Sequence, residues 1–135
     1  MDGNRYLLDT HSLIWFPENN PRFPRKAMSI AEDGNNTILF SQVSLFEIAT
    51  KQKVGKSLGM SVSAEEFYHQ AINSGLIFLS IQNEHIYNYN QIPSVENHRD
   101  PFDRLLIATA NHEKATIITG DEKFALYGDF VKVLW

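Results

Sequence analysis

Tyr6-Leu7-Leu8-Asp9-Thr10-His11-Ser12-Leu13-Ile14-Trp15-Phe16 begins as an apolar run and turns, at an aspartate, into residues of helical period. It reads as a buried first strand ending at Asp9, followed by a short helix from Thr10 to Phe16. The same alternation of short β-type runs with longer helical stretches continues along the chain. That is the pattern of an α/β domain built on a parallel sheet.

Working outward, Pro17, Pro21 and Pro24 interrupt regular structure, and Pro24 is placed to open a second helix that Gly34 closes. Thr37 to Phe40 makes a second strand. Ser41 is a candidate N-cap for a helix through about Lys53, stopped by Gly55. Ser63 and Glu66 match a capping box whose helix ends at Gly75, and Leu76 to Leu79 follows as a third strand. A helix is expected over Asn83 to Ile92 and an irregular loop over Pro93 to Arg99. Asp100 then caps, Pro101 takes the first helical position, and Phe102 to Glu113 continues as an apolar helix. Thr116 to Thr119 and Val131 to Leu134 complete the strands, with Asp121 just beyond the fourth.

The 135 residues leave room for one folded domain, residues 1–135. Twelve Lys plus Arg against 16 Asp plus Glu give a formal net charge of -4, so nucleic-acid binding cannot rest on a broadly basic surface. It would need a local basic patch or a metal. With no cysteine, disulfides, a thiol nucleophile and thiolate-ligated zinc or iron-sulfur sites are excluded. No apolar run approaches the ~20 residues of a membrane span, and Met1 to Arg5 lacks signal-peptide order, so the cytoplasm is the expected compartment.

Four carboxylates stand where a purely structural account does poorly: Asp9, Glu47, Asp103 and Asp121. In open parallel sheets ligands bind outside the carboxyl ends of the strands, near the reversal of strand order. With order 3-2-1-4-5, Asp9 and Asp121 end neighbouring strands at that reversal. Each acid also has a bland reading: Asp9 and Asp121 as helix caps, Glu47 as the partner of Lys51 four residues on. Asp103 resists one, because residues 106, 107 and 110 on its helix face are Leu, Ile and Ala, where a free charge is costly. Converging anions repel unless a cation compensates them. An all-oxygen donor set points to a hard ion, Mg²⁺ or Mn²⁺, of the kind that serves phosphate chemistry.

Four blocks in order resemble the PIN domain, and within it the VapC-type toxins of toxin-antitoxin pairs. They are Leu7 to Trp15, Ser41 to Lys51, Ile118 to Asp121, and the most specific, His98-Arg99-Asp100-Pro101-Phe102-Asp103-Arg104-Leu105-Leu106-Ile107-Ala108-Thr109-Ala110. The resemblance runs from Tyr6 to the end of the chain. It implies a PIN-like three-layer fold with a five-stranded parallel sheet of order 3-2-1-4-5 flanked by helices, and a Mg²⁺- or Mn²⁺-dependent endoribonuclease. Carried over, Asp9, Glu47, Asp103 and Asp121 match the acidic quartet that holds the metal and orients or deprotonates the attacking water. Thr10, Ser44 and Thr119 match the small hydroxyl positions beside it. Asp100, before Pro101, reads first as a helix cap, with a supporting role in the site as the alternative. Two departures stand out: Gly120, where the family usually carries a side chain, and Gly55-Lys56-Ser57 in place of Gly-Lys-Leu.

Lys51, Lys53, Lys56 and Arg104 form a candidate cationic track for RNA beside the acids; a solvated, lysine-rich helix end is the alternative. His98 reads as a solvated loop side chain with no catalytic role. Trp15, Phe16, Phe46 and Phe102 read as core or dimer contacts before base-stacking ones. The resemblance further implies a small antitoxin protein whose C-terminal segment blocks the cleft through an arginine, and a homodimer. Rival readings are a metal-dependent phosphatase or DNA nuclease using the same acids, and an idle module that only binds RNA or a partner protein. A phosphatase of the haloacid-dehalogenase type would want Asp-x-Asp after strand one, and here Thr10-His11 follows Asp9.

Overall fold

The computed structural model describes residues 4–95 and 98–135. Five parallel strands, β1 (Arg5–Leu8), β2 (Thr37–Ser41), β3 (Ile77–Leu79), β4 (Thr116–Ile118) and β5 (Val133–Leu134), form one sheet of order β3-β2-β1-β4-β5. Six helices connect them: α1 (Thr10–Trp15), α2 (Arg25–Glu32), α3 (Gln42–Lys53), α4 (Ala64–Asn73), α5 (Asn83–Tyr89) and α6 (Pro101–Glu113). The fold class and strand order are those expected.

The register explains why β1 is apolar throughout. Leu7 pairs with Leu39 on one side and Ile117 on the other, and all three enter one core, where α6 supplies Leu106, Ile107 and Ala110. Tyr6 and Leu8, whose partners are Ile38 and Ile118, enter the opposite core with Leu13, Ile14, Ala27, Phe67 and Ala71 of α1, α2 and α4. A strand covered on both faces needs no polar alternation. It also places the reversal of strand order at its own carboxyl end, since β2 leaves to one side and β4 to the other.

Helix termini follow the local chemistry. Ser41 accepts from the Val43 amide, and Gly55 ends α3 at a φ of 85°, a left-handed value open to glycine. Asp100 accepts from the amides of Phe102 and Asp103, with Pro101 at the first position of α6. Ser63 caps α4 by accepting from the Glu66 amide, while the Glu66 carboxylate meets the Ser63 hydroxyl, so the reciprocal half of the capping box is made side chain to side chain.

Several bounds differ from expectation. Pro24 is the N-cap of α2 and lies just outside it, and α5 stops at Tyr89. Val131 is buried but precedes β5. A 3-10 helix over Glu122–Tyr127, unforeseen in the sequence, buries Phe124 and Tyr127 beneath α6. The loop expected over Pro93 to Arg99 is irregular where described, with Glu96 and Asn97 outside the described residues. Among the described residues no helix is long and apolar enough to cross a membrane.

Candidate active site

Asp9 and Thr10, adjacent at the end of β1, reach in opposite directions. Asp9 is buried; one carboxylate oxygen caps α1 by accepting from the Ser12 amide at 2.9 Å, and the other accepts from the Thr119 hydroxyl at 2.6 Å. The capping reading therefore holds and uses only part of the group. Burial pushes the Asp9 carboxyl above its ordinary range, against the lowering effect of the Ser12 and Thr119 hydrogen bonds. Thr119 also accepts from the Asp121 amide at 3.0 Å, tying the two strand ends together. Asp121 is exposed and caps the 3-10 helix through the Lys123 amide.

On the other side, the Thr10 hydroxyl donates to Glu47 at 2.6 Å and lies 3.0 Å from the Ser44 hydroxyl. Glu47, only 4% exposed, receives the Lys51 ammonium at 2.7 Å. The i,i+4 pair is real, but its carboxylate is in the interior. That hydrogen bond raises the Lys51 pKa above its ordinary value, with the charges of Asp100 and Asp103 adding to it and burial opposing. Lys51 thus faces three acids.

Asp103, in the first turn of α6, has its pKa pushed up to about 6. Burial is the main cause, a hydrogen bond from His98 opposes it, and the negative charges of Asp100 and Glu47 add to it. Glu47, Asp100 and Asp103 therefore crowd one region, joined to Asp9, Thr119 and Asp121 through the Asp9-Thr10 peptide.

Two residues take places other than those expected. His98 is 3% exposed, with Nε2 3.2 Å from Asp103 and Nδ1 2.8 Å from the Tyr127 hydroxyl. It is a buried partner of the acid, and the solvated reading is corrected. Arg104 is 8% exposed; its guanidinium donates to the carbonyls of Ile92 and Pro93 and to the Tyr127 hydroxyl. Its donors are spent inside the protein, so it is withdrawn from the cationic track. Since Tyr127 oxygen accepts from Arg104, its proton is left for His98 Nδ1, and Nε2-H then donates to Asp103. Arg104, Tyr127 and His98 form a chain of oriented hydrogen bonds ending on the carboxylate. One signal for this lay in the sequence: residues 104, 107, 108 and 111 share a face of α6, and Ile107 and Ala108 are apolar.

Lys53 and Lys56 are exposed near the end of α3. Among the described residues no group of three His, Asp or Glu side chains stands ready-made to hold a metal ion. The chemistry of the donors nonetheless fits a hard cation: all are oxygens, two have raised pKa values caused by burial, and the crowded acids have Lys51 as their near positive charge. The side chains are held by hydroxyl and ammonium partners that an ion would exchange or share.

Sheet order, doubly covered β1 and acids at the carboxyl ends of β1 and β4 define an α/β protein with its candidate site at the switch point. The PIN domain family model matches residues 6–129, and the chain belongs to that family. No curated protein matches it significantly in sequence. Among solved structures it is similar to VapBC2 from Rickettsia felis bound to a DNA fragment from its promoter, with a TM-score of 0.66 and 18% identity over 96% of this chain and 97% of that one. It is likewise similar to DNA-bound VapBC from Salmonella typhimurium, at TM-score 0.66 and 16% identity over 97% of both chains. FitAcB from Neisseria gonorrhoeae follows at 0.59 and 20% identity over 96% of both. At these identities the likeness is one of fold.

Proposed function

We propose that this chain is a Mg²⁺- or Mn²⁺-dependent endoribonuclease, the toxin of a toxin-antitoxin pair. The observation that carries the reading is the crowding of Glu47, Asp100 and Asp103 beside buried Asp9 at the switch point, a costly arrangement that a bound cation repays. Asp9, Glu47, Asp103 and Asp121 would hold the ion, which would supply positive charge to the phosphoryl oxygens and lower the pKa of a nearby water. Thr119 holds Asp9; Thr10, itself bonded to Ser44, holds Glu47; and His98 holds Asp103. In the reaction, water oxygen would bond to phosphorus, its proton would pass to a carboxylate, the P-O3′ bond would break, and the departing O3′ would take a proton from solvent, leaving a 3′-hydroxyl and a 5′-phosphate. Lys51, already among the acids, is placed to meet a phosphate oxygen once an ion takes its share of Glu47.

The partner is a cognate antitoxin protein filling the cleft with an arginine, a reading supported by the VapBC and FitAcB folds to which the chain is similar. Homodimerisation and a cytoplasmic site of action belong to the same reading. Incubation of pure protein with RNA and Mg²⁺ or Mn²⁺ should give fragments bearing 5′-phosphates, abolished by EDTA and by Asp9→Asn. Cleavage indifferent to both controls refutes the reading. Parallel incubations with DNA and nitrophenyl phosphate separate it from a DNA nuclease and a phosphatase.

A further inference from the structure

A cavity of about 460 Å³ opens directly beside Asp9 and Asp121, its walls made by Trp15, Trp135 and Arg22. The volume is within the ~300–1,000 Å³ of small-ligand sites. The two indoles stand 6.2 Å apart between centroids and 49° apart in plane. Trp135 is braced edge-on by Phe23 at 5.9 Å, and the His11 ring lies 5.5 Å from Trp15. Trp15 packs against the core, as the sequence suggested, and its half-buried ring also forms part of the wall of this cavity.

Gly120 explains how Trp135 comes to be there. A methyl group at this position would stand 2.7 Å from Cε2 of the indole, closer than packed atoms allow, and Gly120 is not among the glycines with left-handed φ. The backbone does not require glycine; the indole does. The side chain usual before the last acid has been replaced by space, and an aromatic ring from beyond β5 fills it. Trp135 is 40% exposed and lines the cavity.

At the mouth, the Arg22 guanidinium lies 5.9 Å from the Trp15 centroid and forms no ion pair with an acid among the described residues. The slot thus has flat aromatic walls, a cation at its rim and the carboxylate site at its inner end. Planar bases stack on such rings and their phosphates seek such cations. Building on the nuclease reading above, we propose that the cavity walled by Trp15 and Trp135 receives one nucleobase of a single-stranded RNA, stacked against the ring surface they present to it, with the phosphate lying on the acids. It would set which nucleotide flanks the cleaved bond.

Both tryptophans of the chain line the slot, so intrinsic fluorescence reports on it alone. The test titrates the Asp103→Asn protein in Mg²⁺ with short oligoadenylate and with an abasic oligonucleotide of equal length. Saturable quenching by the intact RNA is expected, with roughly ten- to hundredfold weaker binding of the abasic one. Gly120→Val, which expels the indole, and Trp135→Leu, which removes it while leaving an apolar side chain against Phe23, should each erase that difference; circular dichroism checks their fold. Equal quenching by both oligonucleotides, or a base preference unchanged in both variants, overturns the proposal. So does quenching by an aromatic peptide and not by RNA, which would give the slot to a protein partner. Cleavage of RNA by the unaltered protein is scored separately, so a failed slot and a failed nuclease give different results.

Discussion

The Tyr127 hydroxyl lies 2.8 Å from Nδ1 of His98, across the ring from the Nε2 that faces Asp103. With Arg104 donating to the same phenol oxygen, the imidazole is left in the tautomer that donates to the acid. Tyr127→Phe removes this direction while keeping the ring in its core. We expect RNA cleavage to fall roughly ten- to hundredfold, the range for lost partners of metal-site ligands, with a stability loss of only about 1–2 kcal/mol. A cleavage rate unchanged in the folded variant would show that His98 needs no such orientation.

Asp103 gives the protein a pH signature. Its native pKa of about 6 lies above the unfolded value of 3.8, so between these values the native state holds a proton that the unfolded chain has released. Stability must therefore fall as pH rises from about 4 to about 6 and level off above. Asp103→Asn should flatten that decline and be more stable than the parent at pH 7 by about 1–3 kcal/mol, while losing cleavage. Urea unfolding in EDTA across this range measures both.

Divalent ions should reverse the cost. Above pH 6, Mg²⁺ or Mn²⁺ should raise the melting temperature, with ~2.7 kcal/mol gained at a hundredfold excess over Kd. Asp9→Asn keeps a capping side chain for the Ser12 amide, so it should fold as well as the parent. Its melting temperature should respond far less to the ion. Equal responses of the two proteins in calorimetry would take Asp9 out of the binding set.

Lys51→Met strips the buried Glu47 carboxylate of its 2.7 Å partner and leaves Thr10 alone to hold it. A destabilisation of about 1–3 kcal/mol is expected, reduced from the fully buried case because the lysine is half-exposed. Mg²⁺ should restore part of the loss, since an ion can replace the ammonium. Thermal melts with and without the ion give the comparison.

The fold was largely legible because its signals are local. The apolar Tyr6-Leu7-Leu8, the Ser41 cap and the Asp100-Pro101 pair each declare themselves within a few residues, and parallel strands with helical connections leave few arrangements. Asp9, Asp103 and Asp121 are each tied to the end of an element, whereas Glu47 lies mid-helix in α3 and stood out only as a carboxylate among apolar neighbours. What escaped depends on contacts between distant stretches. His98 is buried by Tyr127, 29 residues later, in a 3-10 helix that carries no strong periodic signal. Arg104 stands next to Asp103 in sequence but about 100° around the helix, which turns it toward the Ile92 and Pro93 carbonyls. Trp135 meets Gly120 across β5, and no spacing rule announces that meeting.

Because β1 is hydrogen-bonded on both edges and covered on both faces, Leu7 and Leu8 should be among the slowest amides to exchange with deuterium. The acids at its end are then anchored to the part of the molecule that opens last. Local fraying elsewhere therefore leaves Asp9 in place. Under the nuclease reading proposed above, a partner that fills the cleft would silence the protein without unfolding it, and could be withdrawn again.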